Sequence, residues 1–245
     1  MLQRIDLCDR LQLAEGAGIG VEGFPEDTLV RRALSELAAA AEVEPRWRVR
    51  LEKRIPLAAG LGGGSADAAA ALVLANRTLA VPLSPERLIE VAVLVGADVP
   101  FFLSPGPKLA EGVGETLTAL ELPQDYWVVI GLPRGAAKAS SGAVYARFDE
   151  LGGGAAFPER RTALVAALAL CQRPLDLASL PANDLAEAAG RSPVADELLS
   201  AGAFRADVSG AGPAAYGLFE RRADAQRAAR RCRRLARVWV TAPVW

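Results

Sequence analysis

The chain has 245 residues, of which 51% are hydrophobic and 23% are charged, and its formal net charge is -1. These values are ordinary for a globular protein of one large or two modest domains, and they exclude a global role as a polycation that binds nucleic acid or anionic membrane. Histidine is absent, which excludes histidine bases, Ser-His-Asp triads and histidine metal sites. The three cysteines lack a C-x-x-C spacing, so they suggest neither a disulfide framework nor a cysteine zinc site, and they fit a cytoplasmic location.

The first half of the chain predicts strands and helices in alternation. Strands are predicted where apolar and polar residues alternate, and helices where apolar residues recur every three or four positions after a capping residue. In chain order these elements are a strand at 5–14, a helix capped by Asp27 and ending near Ala41, a strand at 47–53, a helix at 66–74, a helix capped by Ser84 and ending at Gly96, a helix-to-strand corner at 96–103 and a hairpin around Gly112 and Gly114.

The second half begins with a continuous apolar run at 126–132, which predicts a buried strand. The later predictions are a turn-rich patch at 133–142, a loop at 152–154, helices at 158–171, 183–189 and 192–201, strands at 205–208 and 214–219, an arginine-rich helix at 221–236 and a strand at 238–244. Because two strands, a helix and a strand follow earlier helices, the pattern predicts an α+β fold. We expect two domains, residues 1–122 and 123–245.

A glycine-dense loop precedes the alanine-rich helix of the first half. Glycines let backbone N–H groups approach an anion, and the first turn of a helix adds unpaired donors and the positive end of its dipole. Neither a Walker A loop nor a dinucleotide fingerprint fits, since Ser65 and Ala66 follow Gly64. A flexible Gly/Ser linker is the alternative, but the flanks are apolar. The loop is therefore predicted to bind the phosphates of a nucleoside triphosphate.

Three further features have a structural interpretation beside a functional one. Asp98 stands alone among apolar neighbours and could be a structural acid that accepts hydrogen bonds from nearby backbone N–H groups. The Ser-Gly-Ala-Gly-Pro turn at 209–213 would also make a good hairpin. The arginine-rich helix could bind nucleic acid or membrane, but an apolar stripe predicts that it packs on a sheet with its arginines in solvent. That stripe consists of Ala225, Ala228, Cys232 and Leu235.

Three separated blocks resemble the GHMP kinase superfamily, in that family's order. They are Lys-Arg-Ile-Pro-x-x-x-Gly-Leu-Gly-Gly-Gly-Ser-Ala-Asp-Ala-Ala-Ala from Lys53, Gly-Ala-Asp-Val-Pro-Phe-Phe from Gly96 and Ser-Gly-Ala-Gly-Pro from Ser209. The triple glycine, the second block and the Asn-Asp-Leu triplet at Asn183 favour the branch that phosphorylates the 2-hydroxyl of a cytidine-diphosphate-linked methylerythritol in non-mevalonate isoprenoid biosynthesis. The resemblance implies a two-domain fold with a ribosomal protein S5 domain 2-like N-terminal domain and a ferredoxin-like C-terminal domain.

The resemblance also implies the roles of the site residues. Asp98 matches the catalytic aspartate that acts on the acceptor hydroxyl, and an ordinary aspartate is so weak a base that we expect it to orient the hydroxyl and take its proton late. Ser209, Gly210 and Gly212 match a supporting loop near the phosphates. The residues that would hold the triphosphate are Pro56, Leu57, Ala58, Ala59, Gly60, Leu61, Gly62, Gly63, Gly64, Ser65 and Ala66.

The cofactor and partners follow from the same resemblance. It implies ATP with Mg²⁺, a small-molecule substrate in the form of the cytidine-diphosphate-linked methylerythritol, and no nucleic-acid or membrane partner. We expect a monomer or a homodimer. Two alternatives stay open at this point, namely a GHMP kinase for a different alcohol and a non-catalytic nucleotide-binding protein.

The sequence departs from the family's pattern at its N-terminal end. The family begins with a strand bearing Lys-x-Asn and then an Arg-x-Asp-Gly-Tyr-His segment, and its lysine partners the catalytic aspartate. Neither segment precedes Arg4, so we expect Met1 to be an internal methionine and the turnover of this sequence to be low. Lys53, Lys108 and Lys138 do not match the lysine by position, although Lys53 is expected near the nucleotide.

Overall fold

The computed structural model describes residues 1–24, 27–135 and 140–245, and these cluster into two compact units. The first unit consists of residues 1–3, 7–57 and 62–120, and the second of residues 4–6, 58–61 and 121–245. Lys138 and part of the turn-rich patch at 133–142 lie outside the described residues. Within the described ranges, no helix combines the length and the hydropathy that crossing a membrane requires.

The first unit is built on a three-stranded sheet in the order β1-β3-β2. The central strand β3 is antiparallel to β1 and parallel to β2. The elements of this unit are β1 (Arg10–Glu15), β2 (Gly18–Glu22), α1 (Leu29–Ala40), β3 (Arg46–Glu52), α2 (Gly63–Asn76), α3 (Pro85–Val95), a 3₁₀ helix (Pro100–Leu103), β4 (Lys108–Glu111) and β5 (Thr116–Ala119). The last two strands form an antiparallel hairpin.

Strict alternation along β3 fixes which face of this sheet is buried. Trp47 and Val49 are nearly inaccessible, whereas the arginines that alternate with them, at 46, 48 and 50, are exposed. The buried face packs on Leu34 and Leu37 of α1 and Leu72 of α2, each of which is 0% exposed. Such apolar burial is the main stabilising contribution to a core of this kind. It also holds α2, whose first turn ends the glycine loop, against the sheet.

The second unit contains a four-stranded antiparallel sheet in the order β7-β8-β6-β9. Its elements are β6 (Trp127–Pro133), α4 (Ser141–Glu150), a 3₁₀ helix (Gly153–Ala156), α5 (Phe157–Leu170), a 3₁₀ helix (Pro174–Ser179), α6 (Ala186–Ala189), α7 (Pro193–Ser200), β7 (Arg205–Val208), β8 (Ala215–Phe219), α8 (Arg222–Cys232) and β9 (Ala236–Thr241). If β6 to β9 are counted as strands 1 to 4 of this sheet, their spatial order is 4-1-3-2. This order is the ferredoxin-like arrangement.

The arginine-rich helix packs as its apolar stripe predicts. Ala225, Ala228 and Cys232 of α8 are 0% exposed and belong to the core beneath the sheet, together with Val129 and Phe219. The arginines of the helix are exposed. Arg231 near its end and Arg234 just after it both pair with Glu197 of α7. The solvent-facing interpretation of these arginines is therefore supported.

Several predicted boundaries were wrong. The strand expected at 5–14 begins only at Arg10, and the corner at 96–103 forms a 3₁₀ helix instead of a strand. The arginine-rich helix ends at Cys232, because Ala236 already pairs with Pro133 in the sheet. Asp27 accepts a hydrogen bond from the Val30 N–H at 2.6 Å, although the N-cap position falls one residue later. The helix α4 was not predicted at all.

Candidate active site

The glycine loop is divided between the two units, and residues 58–61 cluster with the second. The Gly60 carbonyl accepts a hydrogen bond from Ser209 Oγ at 2.8 Å, and the Ala59 carbonyl accepts one from the Ala214 N–H at 3.1 Å. A Cβ at residue 60 would lie only 2.3 Å from the Ser209 carbonyl oxygen, and its φ is +77°. This part of the loop therefore contacts the 209–213 turn directly. The sequence motifs alone did not show this contact.

The other loop residues, 56–57 and 62–66, belong to the first unit, where Gly62 caps α2 and residues 63–66 form its first turn. The helix begins at Gly63, three residues before the predicted start, and its N-cap Gly62 offers no side-chain hydrogen bond to the first turn. A Cβ at Gly63 would lie 2.9 Å from Ile55 Cγ2, so glycine permits close packing of the helix start. An N-terminus without a capping side chain presents backbone donors and the positive dipole end to an anion.

A buried ion-pair cluster lies beside this helix within the first unit. Lys53 Nζ is 2.5 Å from Asp9 Oδ2 and 2.6 Å from Asp67 Oδ2. The side chains are 14%, 3% and 5% exposed, respectively. The other oxygen of Asp9 accepts hydrogen bonds from the backbone N–H groups of Arg54 and Ile55. The cluster thus ties the residue before β1 to the segment after β3 and to α2.

Burial and the neighbouring charges shift the pKa values of Lys53 and Asp67. Burial raises the pKa of Asp67 to about 7, against the opposing effect of Lys53, and the nearby Asp9 adds to the rise. Burial alone would lower the pKa of Lys53, but its hydrogen bonds to Asp67 and Asp9 outweigh this and raise that pKa above its ordinary value. One ammonium group therefore faces two carboxylates, and Asp67 takes up a proton near neutral pH.

Two of these three residues, Asp9 and Asp67, were not among the predicted site residues. Asp67 stands in the same motif as Lys53, fourteen residues later, so its position on α2 was a usable signal. Asp9 is separated from Lys53 by 44 residues, and nothing in the pattern marks it. Lys53 itself, expected near the nucleotide, lies immediately before Arg54 at the entrance of the loop.

Asp98 lies in the turn between α3 and the 3₁₀ helix at Pro100–Leu103. It lines a cavity of about 200 Å³ together with Ala97, Ala110 and the hairpin tip at 112–114. The residue is accessible to solvent, yet surrounding protein desolvates the carboxyl group enough to raise its pKa. At Gly114, where φ is +94°, a Cβ would lie 1.8 Å from the Ala97 carbonyl oxygen, so only glycine lets the hairpin approach the Asp98 turn.

Comparisons with known proteins place the chain in a family. The model of the GHMP kinases N terminal domain matches residues 28–106, and that of the GHMP kinases C terminal domain matches residues 192–237. The 4-diphosphocytidyl-2-C-methyl-D-erythritol kinase of Geobacter sulfurreducens is 37% identical over 254 residues, covering 100% of this chain and 88% of the relative. The chain belongs to this kinase family. A family member from Anaeromyxobacter sp. is 36% identical over 235 residues, and the match covers 92% of this chain and 75% of that relative.

Solved structures agree with this assignment. A crystal structure of 4-(cytidine 5'-diphospho)-2C-methyl-D-erythritol kinase matches with a TM-score of 0.77 and 32% identity, covering 98% of this chain and 88% of that one. A homoserine kinase from Cytophaga hutchinsonii matches with a TM-score of 0.78, but at 18% identity it shows the fold alone. The predicted α+β GHMP kinase fold is therefore confirmed.

The close approach at Gly60 leads to a testable expectation about stability. Gly60→Ala should lower the free energy of unfolding by about 2 kcal/mol, because the new Cβ combines left-handed strain with a backbone clash at Ser209. Gly152→Ala is the matched control, since its φ is +68° and a Cβ there meets nothing within 4 Å. The control should lose only about 1 kcal/mol in urea titrations. Equal losses in the two variants would mean that the loop is not held against the turn.

Proposed function

We propose that this chain transfers the γ-phosphoryl group of ATP to the 2-hydroxyl of 4-diphosphocytidyl-2-C-methyl-D-erythritol, a step of non-mevalonate isoprenoid (terpenoid) biosynthesis. The observation that carries the proposal is similarity over the entire chain, at 37% identity, to kinases that bear this name. Homoserine and mevalonate kinases share the fold at 18% and 10% identity. A GHMP kinase for another alcohol is therefore the weaker alternative.

The triphosphate is proposed to lie against residues 56–66. The uncapped start of α2 offers backbone N–H groups and the positive end of a 14-residue helix, and this is a favourable environment for phosphate. Mg²⁺ is proposed to come with the ATP and takes oxygen ligands, of which the Ser65 hydroxyl in the first turn of α2 is one of suitable kind. Mg²⁺ held there would neutralise part of the phosphate charge.

Asp98 is proposed to act on the acceptor hydroxyl. Phosphoryl transfer depends mainly on positioning and on neutralising charge, so a single carboxylate suffices to orient the attacking oxygen and to receive its proton. Its pKa is raised by desolvation, which makes the carboxylate a stronger base than an ordinary aspartate. The cavity beside it, at 200 Å³, gives the hydroxyl-bearing end of a substrate access to the carboxyl group.

Further parts of the assignment are proposals of the same kind. Residues 1–122 would form the nucleotide-binding domain and residues 123–245 the C-terminal domain, with Ser209, Gly210 and Gly212 supporting the phosphate loop. We further propose a cytoplasmic enzyme that acts as a monomer or a homodimer.

The function is tested by comparing acceptors in one assay. We expect slow release of ADP from Mg-ATP that depends on the diphosphocytidyl methylerythritol, and a product with one added phosphate by mass spectrometry. Homoserine, mevalonate and galactose serve as controls and should give only background release. Preferential turnover of one of these controls would reassign the acceptor. Binding of an ATP analogue without transfer to any acceptor would instead favour a non-catalytic nucleotide-binding protein.

A further inference from the structure

The side chain of Asn183 joins its own backbone segment to the end of β7 and the turn that follows it, all in the second unit. Its Nδ2 donates hydrogen bonds to the carbonyl oxygens of Val208 at 3.0 Å and Gly210 at 2.7 Å. Its Oδ1 accepts a hydrogen bond from the Leu185 N–H at 3.1 Å. Both amide hydrogens are therefore used on the end of β7 and on the turn that follows it. Of the polar side chains of this length, only asparagine offers two donors and one acceptor in this geometry.

Asn183 is itself held rigidly by a buried charged pair. Its backbone N–H donates to Asp207 Oδ2 at 2.7 Å, and Asp207 is only 8% exposed. The same carboxylate oxygen lies 3.6 Å from the guanidinium group of Arg205. That guanidinium group also donates to the carbonyl oxygens of Leu180 and Pro181, at 2.5 and 2.7 Å. The segment that carries Asn183 is thus fixed to β7 before its side chain reaches the turn.

The turn needs such an external tie. Gly210 and Gly212 both have positive φ values, +54° and +69°, so the turn contains two residues in a conformation that costs backbone entropy. Its own backbone contributes two hydrogen bonds at 2.9 Å, from the Gly212 N–H to the Ser209 carbonyl oxygen and, across its base, from the Ser209 N–H to the Ala214 carbonyl oxygen, and neither involves the Gly210 carbonyl. The bond from Asn183 to the Gly210 carbonyl fixes the middle of the turn from outside.

The same turn holds the phosphate loop. Ser209 Oγ donates to the Gly60 carbonyl, and the Ala214 N–H donates to the Ala59 carbonyl. A continuous series of contacts therefore runs from Asn183 through the turn to Gly60, and all of it lies in the second unit.

We propose that Asn183 is a positioning residue for nucleotide binding, which acts by fixing the turn and through it the backbone of Ala59 and Gly60. This proposal rests on the proposed function only in taking residues 56–66 as the phosphate loop. Asn183 does not touch the nucleotide. Loss of its two donors lets the turn relax, so that the loop must be ordered again each time a triphosphate binds.

The test compares two asparagine-to-aspartate substitutions. Asn183→Asp keeps the shape of the side chain but brings a carboxylate against two carbonyl oxygens. The matched control is Asn76→Asp in the first unit, because Asn76 is 9% exposed and its side chain likewise donates to a carbonyl and accepts from an N–H, both of Leu83. The dissociation constant of a non-hydrolysable ATP analogue is measured by calorimetry, with the melting temperature recorded for each variant.

We expect Asn183→Asp to weaken analogue binding about tenfold, whereas Asn76→Asp changes it less than about twofold at a comparable loss of melting temperature. The KM for ATP should rise, and the KM for the polyol acceptor should not. Unchanged affinity in Asn183→Asp, or an equal loss in both variants, would overturn the proposal.

Two further measurements cover the remaining outcomes. If Asn183→Asp does not fold, Asn183→Ala removes both donors without adding a charge, and it should still weaken binding about threefold or more; unchanged binding there refutes the positioning role. Wild-type chain that binds the analogue but transfers no phosphate to the polyol contradicts the proposed function. In that case the tenfold effect on binding would still support the role of Asn183.

Discussion

Replacement of Asp98 by asparagine should lower the rate of phosphoryl transfer about 10³-fold, while the dissociation constant of an ATP analogue changes less than about twofold. Asparagine has nearly the same shape, so the turn after α3 and the cavity beside it should keep their structure. The amide cannot accept the proton of the acceptor hydroxyl, and it orients that hydroxyl less well than a carboxylate does. Steady-state rates and calorimetric binding, measured on the same preparations, separate the two effects.

The control for this substitution is Asp149→Asn, an exposed aspartate near the end of α4. This substitution makes the same chemical change at a position distant in sequence from Asp98. It should leave both the rate of phosphoryl transfer and the affinity for the ATP analogue unchanged. If Asp98→Asn retained more than about a tenth of the wild-type rate, its carboxylate would not take part in proton transfer. A loss of analogue binding equal to the loss of rate would instead assign Asp98 to holding the structure.

Replacement of Lys53 by methionine should lower the free energy of unfolding by about 4 kcal/mol at neutral pH, because it leaves two buried carboxylates without their cation. Methionine fills a similar volume, so the loss reports charge and hydrogen bonding more than packing. Asp9 also receives the N–H groups of Arg54 and Ile55, and disturbing it should loosen the entrance of the glycine loop. Urea unfolding measures the change, and Lys108→Met in β4 is the matched control, with an expected loss of about 0.5 kcal/mol or less.

The pH dependence of this loss has a definite sign. Without Lys53, the pKa of Asp67 in the folded state rises further above that of the unfolded chain, so folding takes up a proton and stability falls as pH increases. The destabilisation should therefore be smaller at about pH 5 than at about pH 8. The double variant Lys53→Met with Asp67→Asn should recover part of the loss. A double variant that is no more stable than Lys53→Met would contradict the assigned interaction.

Local patterns were sufficient for much of the fold. Alternation along β3 predicted its buried face, because side chains of a strand point to opposite sides of the sheet at every second residue. Ser84 followed by proline predicted the start of α3. In the structure, the serine side chain accepts a hydrogen bond from the Arg87 N–H, as an N-cap residue should. The glycine loop, the isolated Asp98 and the 209–213 turn were likewise recognisable from consecutive residues.

Boundaries were less predictable, because tertiary pairing overrides helix propensity. The arginine-rich segment favours helix beyond residue 232, yet the chain leaves the helix so that Ala236 can pair with Pro133. The segment 96–103 reads as the approach to a strand, but none of the strands in the described ranges pairs with it. Its second half forms a 3₁₀ helix, and β4 starts only at Lys108.

The sequence by itself determined the family, the α+β architecture and the segments that carry the chemistry, because these depend on short-range patterns and on motifs of consecutive residues. Only the tertiary structure decided which distant groups meet. Lys53 pairs with Asp9 across 44 residues, and Ser209 reaches Gly60 across 149. Such contacts depend on how helices and strands pack, and no local period encodes them. The glycine loop was thus visible in the sequence, whereas the residues that hold it in place were not.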